Sequence, residues 1–340
     1  MGPVNLLSDT QTRPSQGMRA AMAAAEVGDE QKKADPTTIE LQERVAALLG
    51  HEAGLYLPSG SMCNLIGLRL HIRPGGDEAI VAANCHVAGF EAGAPAAVNG
   101  AMLRMLDTPT GIFQPADVEA ALRTPGDRYA PRSRVVSVEQ TTNLGGGRVW
   151  PLETVQGVLG VARDAGLRTH MDGARLLNAA VASGVEATAY AGGFDTAWLD
   201  FSKGLGAPVG AVLVGSEELI DEAWRFKQML GGAMRQSGIL AAACLYALDH
   251  NVERLAEDHA RARRLAEGLA GVPGVTIDPS TVDTNIVFLE VGDAAGLCER
   301  AAEHDVHVGP MGPSRVRAVL HLDATDADVD RALEVLAEVA

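Results

Sequence analysis

Leu167-Arg168-Thr169-His170-Met171-Asp172-Gly173-Ala174-Arg175 is a β-prone run that stops on an acid, a glycine and a base. Similar apolar runs occur at Ala79 to Ala83, Arg134 to Val138, Thr196 to Phe201 and Ala211 to Val214, separated by Ala/Leu/Glu/Arg stretches of helical period. This alternation predicts an α/β fold, a mainly parallel sheet covered by helices on both faces. Ligands of such sheets sit beyond the carboxyl ends of the strands. Asp172 to Arg175 after one strand, and Ser202-Lys203 after another, therefore fall on the expected functional rim.

The rhythm changes with a charged helix from Asp249 to about Gly271. A strand (Thr284 to Leu289), a helix (Ala294 to Glu303), strands at Val306 to Val308 and Arg317 to His321, and a last helix capped by Thr325 follow. We expect residues 1–250 to form a large domain with an N-terminal arm over 1–15, and residues 251–340 a small α/β domain. The Pro- and Gly-containing stretch from Asp107 to Pro131 reads as a surface excursion.

Composition narrows the function. With 47% hydrophobic and 21% charged residues and no apolar run of membrane-spanning length, the chain has no expected membrane role. Nothing at its start reads as a secretion signal, so a cytoplasmic location is expected. A net charge of −16 opposes contact with nucleic acid. Cys63, Cys85, Cys244 and Cys298 lack zinc spacing and read as free thiols, and no metal is expected. Cys85 beside His86 suggests a nucleophile and base, but neighbours on a strand point to opposite faces.

Gly204, Gly206 and Gly210 miss the dinucleotide-binding spacing by one residue, and Pro208 spoils a helix start there. A different chemistry fits. Lys203 follows a buried strand, flanked by the Ser202 hydroxyl and by small residues, where burial favours the neutral amine that attacks a carbonyl. Asp172 reads either as the partner of a protonated ring nitrogen or as a helix cap. Arg175 reads as a brace for a ring oxygen or a carboxylate, or as half of a structural ion pair. Leu57-Pro58-Ser59-Gly60-Ser61-Met62-Cys63-Asn64 leads into a helix whose free N–H groups suit a phosphate, or simply caps that helix. His86 is the candidate to stack on a ring, against a purely structural histidine.

Several runs, in order, resemble signatures of the threonine aldolase family of fold-type I pyridoxal 5′-phosphate (PLP) enzymes. They are Leu7-Ser8-Asp9-Thr10-Gln11-Thr12-Arg13-Pro14, Gly28-Asp29 to Asp35-Pro36-Thr37, His170 to Arg175, Ser202 to Gly210 and Met234-Arg235-Gln236-Ser237-Gly238. The resemblance spans essentially the whole chain. It implies a large domain on a seven-stranded, mainly parallel sheet and a smaller C-terminal α/β domain. It implies a Schiff base of PLP on Lys203, Asp172 opposite the pyridine nitrogen, Gly60 and Ser61 on the phosphate, His86 over the ring, and Ser202 and Arg175 beside the cofactor. Ser8, Arg175 and Arg317 would bind the substrate carboxylate, with Arg317 reaching in from the small domain. Homotetramers built from dimers with shared sites are also implied, with Arg235 acting on a neighbouring subunit's cofactor.

The implied activity is a lyase reaction of amino-acid metabolism: Cα–Cβ cleavage of L-β-hydroxy-α-amino acids such as L-threonine or L-allo-threonine, giving glycine and an aldehyde. Two places depart from the family. Gln31-Lys32-Lys33-Ala34 replaces a Val-Tyr-Gly run, and Thr142 stands where many members carry a histidine near the substrate hydroxyl. A threonine is no base near neutral pH, so His86 or a water takes that role, or the reaction is another one. The alternatives are a PLP lyase that eliminates a β-substituent and a non-catalytic PLP-binding homologue.

Overall fold

Val135, Val136 and Val138 are buried although successive strand residues face opposite ways, so their sheet is covered on both sides. The computed structural model describes residues 2–340; Met1, the first residue of the expected arm, lies outside them. The main sheet has seven strands, in the order Ala53–Leu57, Ala211–Gly215, Thr196–Asp200, Arg168–Asp172, Arg132–Glu139, Asp77–Ala82 and Met102–Leu106. All run in one direction except Ala211–Gly215, which is antiparallel to both neighbours. The five expected strands are present, and two more complete the sheet at its edges. The edge strands gave weak signals for physical reasons. Ala53–Leu57 carries a glycine, and Met102–Leu106 exposes Met102 and Met105 at an open edge instead of burying a continuous apolar run.

Helix Gly60–His71 lies across this sheet, with the Ser59 hydroxyl accepting from the Met62 amide at its start. Its glycines set how close it comes. A Cβ on Gly60 would stand 2.3 Å from the Trp198 ring, so the helix start rests directly on that indole.

A second apolar core, built on Ile286–Val291, Arg315–Val319 and helices Leu255–Leu269, Ala294–Glu303 and Asp326–Val339, forms the C-terminal unit. The Thr325 cap is present as a reciprocal capping box with Asp328. The chain's first strand, Val4–Asn5, pairs with Val306–His307, and Val4 and Leu6 pack into this second core. The arm therefore begins on the C-terminal unit and ends at the sheet rim.

Two expectations are corrected. The charged helix starts at Leu255, not Asp249, because helix Gly238–His250 ends at His250 and the Asn251 side-chain amide donates to the Leu205 carbonyl (2.8 Å). The stretch from Asp107 to Pro131 is only partly a surface excursion. It contains helix Pro115–Ala121, which buries Val118 and Ala121, and Phe113 packs edge-on to Trp150 with ring centroids 4.8 Å apart.

Gly173 tests the packing at the rim. A Cβ there would stand 1.9 Å from the Trp198 carbonyl oxygen, whereas one on Gly160, within helix Leu152–Asp164, would meet nothing. We expect Gly173→Ala to lose at least about 2 kcal/mol and Gly160→Ala to gain up to about 1 kcal/mol in urea denaturation at fixed protein concentration.

Candidate active site

Four neighbouring parallel strands deliver ionisable groups to one rim. Arg132–Glu139, Arg168–Asp172 and Thr196–Asp200 end on Glu139, Asp172 and Asp200, and Asp77–Ala82 leads into the turn that carries His86. Lys203 follows Asp200 in the next turn.

Asp172 is 2% exposed. One carboxylate oxygen accepts from Asn64 Nδ2 (2.7 Å) and the other from the Ala174 amide (3.0 Å), and it makes no ion pair with any described residue. Asn64 is the junction of the site. Its amide also donates to Glu91 Oε1 (2.8 Å), while its oxygen accepts from Trp198 Nε1 (2.7 Å) and lies 3.2 Å from His170 Nε2. Burial, then the charge of His71, pushes His170 down to about 3, so it stays neutral and gives Asp172 no counter-charge.

Glu139 is also buried, and its two oxygens each accept a backbone amide, from Asn143 and His86, at 2.5 Å. Burial and then the negative charge of Asp172 push its carboxyl up to about 7. His86 Nδ1 lies 3.0 Å from Glu91 Oε1. That hydrogen bond, against the opposing effect of burial, raises the imidazole above its ordinary value. Phe90 stacks beside the ring at 5.6 Å. Cys85 does not lie on a strand. It caps the short helix His86–Gly89, and burial, then the charge of Glu139, raises its thiol, which removes it as a nucleophile.

The Lys203 side chain is 19% exposed, with Nζ 3.2 Å from Asp200 Oδ2 and 6.0 Å from the Trp198 ring centroid. Ser202 donates its amide and hydroxyl to Asp200 Oδ1 (3.2 and 2.9 Å). From the N-terminal arm, the Thr12 hydroxyl donates to the Lys203 carbonyl (2.8 Å). Trp198 thus adjoins both the lysine and Gly60, with the exposed Ser61 next along the helix.

The arginines differ. Arg175 is buried and gives Nε and one terminal nitrogen to Asp9 (2.7 and 2.8 Å), which also accepts from Asn285 (3.1 Å). The structural ion pair allowed by the sequence is therefore present. Burial alone would raise the Asp9 carboxyl, but the charge and hydrogen bonds of Arg175 hold it well below the usual carboxylate range. Arg317 has no carboxylate. It donates to Asn143 Oδ1 (3.1 Å) and the Leu7 carbonyl (3.2 Å), and its Nε is buried without a partner. Burial, then the charge of Arg175, pushes the Arg317 guanidinium down from its ordinary value, as expected of a cation short of an anion. Ser8, beside Leu7, accepts from the Thr10 amide and hydroxyl. The Thr142 hydroxyl is buried without a partner. Arg235 stands apart, 61% exposed in its side chain and paired with Asp29 at 3.2 Å.

The acids and amides that organise the rim were missed as site residues, although Asp9, Asn64 and Asp200 sit inside the signature, helix-start and strand runs and Glu139 directly follows a strand run. Asn285 sits inside the expected strand Thr284 to Leu289, and Glu91 carried no local signal. The assembled rim suits a ligand with a carbonyl for Lys203, a cationic ring nitrogen for Asp172, a phosphate for the Gly60 helix start and a carboxylate for Arg317. A buried acid without a cation is the observation that most calls for such a ligand.

An open, mostly parallel sheet with a strand-end lysine and an unpaired acid at one rim defines an α/β enzyme of carbonyl-cofactor type. The sequence pattern of the beta-eliminating lyases matches residues 5–293. The low specificity L-threonine aldolase of Escherichia coli K12 is 40% identical over 99% of this chain and 97% of its own. The threonine aldolase of Leishmania major superposes with a TM-score of 0.85 at 20% identity, covering 99% of this chain and 100% of that one. SPT solved with PLP superposes at 0.72 with 18% identity, over 100% of this chain and 86% of that one. The chain belongs to the beta-eliminating lyase family and has the fold shared by these PLP enzymes.

Glu139 gives a signed pH test. Its carboxyl binds a proton more tightly folded (about 7) than at its ordinary value of 4.5. Its contribution to stability is therefore complete below the lower value and lost as pH rises through the higher one. Wild-type stability minus that of Glu139→Gln, measured by urea denaturation without added ligand, should fall from about pH 5 to about pH 8.

Proposed function

We propose that this chain is a PLP-dependent aldolase that cleaves the Cα–Cβ bond of L-β-hydroxy-α-amino acids of the threonine or allo-threonine type, yielding glycine and an aldehyde. The observation that carries this reading is the buried Asp172 carboxylate, held by Asn64 and lacking a cation, on the same rim as Lys203. Bound PLP would supply an electron sink for the pair released when the Cα–Cβ bond breaks. The names of the relatives support the substrate class.

In this reading Lys203 holds the cofactor covalently, Asp172 keeps its ring nitrogen protonated, and Gly60, Ser61 and Ser202 hold its phosphate end. His86, oriented by Glu91 through Nδ1, lies over the ring and takes the β-hydroxyl proton on its other nitrogen, the task that Thr142 lacks the basicity to perform. Arg317 and Ser8 hold the substrate carboxylate, and Thr142 lies beside the side-chain pocket. Arg175 contributes chiefly through Asp9, which ties the arm, the sheet rim and Asn285 of the C-terminal unit together.

Arg235 points outward on Asp29, which fits a role at a neighbouring subunit's cofactor in a dimer or tetramer. We assign residues 1–250 to the cofactor-binding unit and 251–340 to the smaller one. Among the described residues no helix is long and apolar enough to cross a membrane; a cytoplasmic location is part of this reading.

Incubation with PLP should give a visible absorbance band in wild type and none in Lys203→Ala. With L-threonine, L-allo-threonine or L-phenylserine, glycine and the matching aldehyde should appear in equal amounts. Pyruvate or another keto acid with ammonia would overturn the aldolase reading in favour of β-elimination. Asp172→Asn should keep the band and lose about a hundredfold or more in kcat.

A further inference from the structure

The turn after strand Thr196–Asp200 holds an acid with no place in the reading above. Asp200 is 5% exposed, and its two oxygens are divided between two tasks. Oδ1 accepts the Ser202 amide and hydroxyl, which shapes the turn, while Oδ2 lies 3.2 Å from Lys203 Nζ. Among the described residues it is the only carboxylate paired with that ammonium. Shaping the turn requires one oxygen acceptor and no charge. The buried charge, aimed at the lysine, is left over.

We infer that Asp200 is a positioning residue that holds Lys203 as an ammonium ion while substrate occupies the cofactor, so that Lys203 delivers the proton to the substrate Cα. This rests on the reading of Lys203 as the cofactor's lysine. The proton count closes without any further reagent. The amino acid arrives as an ammonium ion, and exchange of its nitrogen for that of Lys203 leaves the extra proton on Nζ. After the Cα–Cβ bond breaks, an Nζ–H bond breaks, a Cα–H bond forms with the released electron pair, and Lys203 is left as the neutral amine. That amine re-attaches to the cofactor and displaces glycine, which leaves with the proton taken earlier from the β-hydroxyl. No oxidant or reductant enters. Nearby ionisable groups come from several elements: Asp172 at the end of the adjacent strand and Arg175 just after it, Asp9 from the arm, His86 from its turn, and the thiols of Cys63 and Cys244 from two helices. Asp172 is bound to Asn64 and Asp9 to Arg175, which leaves Asp200 to face the ammonium.

Asp200→Asn separates the two tasks, since an amide oxygen still accepts from Ser202 but carries no charge. The full-length variant should melt within about 2 °C of wild type and should still form the visible PLP band, trapped by borohydride on Lys203 in peptide mass analysis. Two readouts should change. Acylation of Lys203 by a limiting amine-reactive reagent before PLP is added should be severalfold faster, because the carboxylate paired with Nζ is gone. Exchange of the glycine Cα proton in deuterated water, followed by NMR, should slow by about tenfold or more, with glycine KM changed far less. Wild-type labelling and exchange rates in the variant would overturn the inference and leave Asp200 as a turn cap. Absence of the PLP band on Lys203 in wild type would instead overturn the underlying reading, and this inference with it. Asp200→Ala, which removes the cap as well, should lower the melting temperature, so a folding defect is told apart from loss of charge.

Discussion

The carboxylate of Asp172 lies in the protein interior with two hydrogen bonds and, among the described residues, no positive charge paired with it. Taking a carboxylate out of water costs several kcal/mol, and hydrogen bonds alone recover only part of that. The rest of the rim answers to this constraint. Asn64 gives the acid a donor and is itself fixed by Trp198. Glu139, buried and close enough to feel the charge, is driven toward its neutral form. A ligand cation placed against Asp172 would relieve both strains, and the neutral His170 cannot.

The same parallel sheet that buries this acid brings the other groups to it. Asp172, Glu139 and Asp200 end adjacent parallel strands, and strands that share a direction place their carboxyl ends together. Lys203 lies just beyond, held by Asp200 on one side and by Thr12 through its backbone on the other. The C-terminal unit enters through Arg317 and Asn285, which reach Asn143, Leu7 and Asp9 at the rim. The N-terminal arm starts in the C-terminal core and finishes beneath Arg175. Shifts between the two units would therefore move Arg317 relative to Lys203, which links the position of that guanidinium to the packing of the arm.

Period and chemistry made much of this readable in the chain. The five strands announced themselves because β-branched and apolar residues are continuous in strands buried on both faces, and Lys203 and Asp172 stood out because each breaks such a run. Contacts between distant residues were not readable. Asn64 reads locally as part of a helix start, and its junction role depends on Glu91, Asp172 and Trp198, which come from three other segments. Arg175 was legible as a charged rim residue, but its bidentate partner Asp9 lies 166 residues away. The edge strand Met102–Leu106 escaped because an open edge leaves its outward side chains in solvent.

The claim that Asp172 awaits a cationic ring nitrogen is tested most directly by comparing PLP with a carbocyclic analogue in which a C–H replaces that nitrogen. Binding to the folded chain raises its melting temperature by an amount that grows with the logarithm of the affinity at fixed ligand concentration. PLP should stabilise the wild-type chain more than the analogue does, and the difference should vanish in Asp172→Asn. Equal stabilisation of the wild type by both compounds would contradict the account.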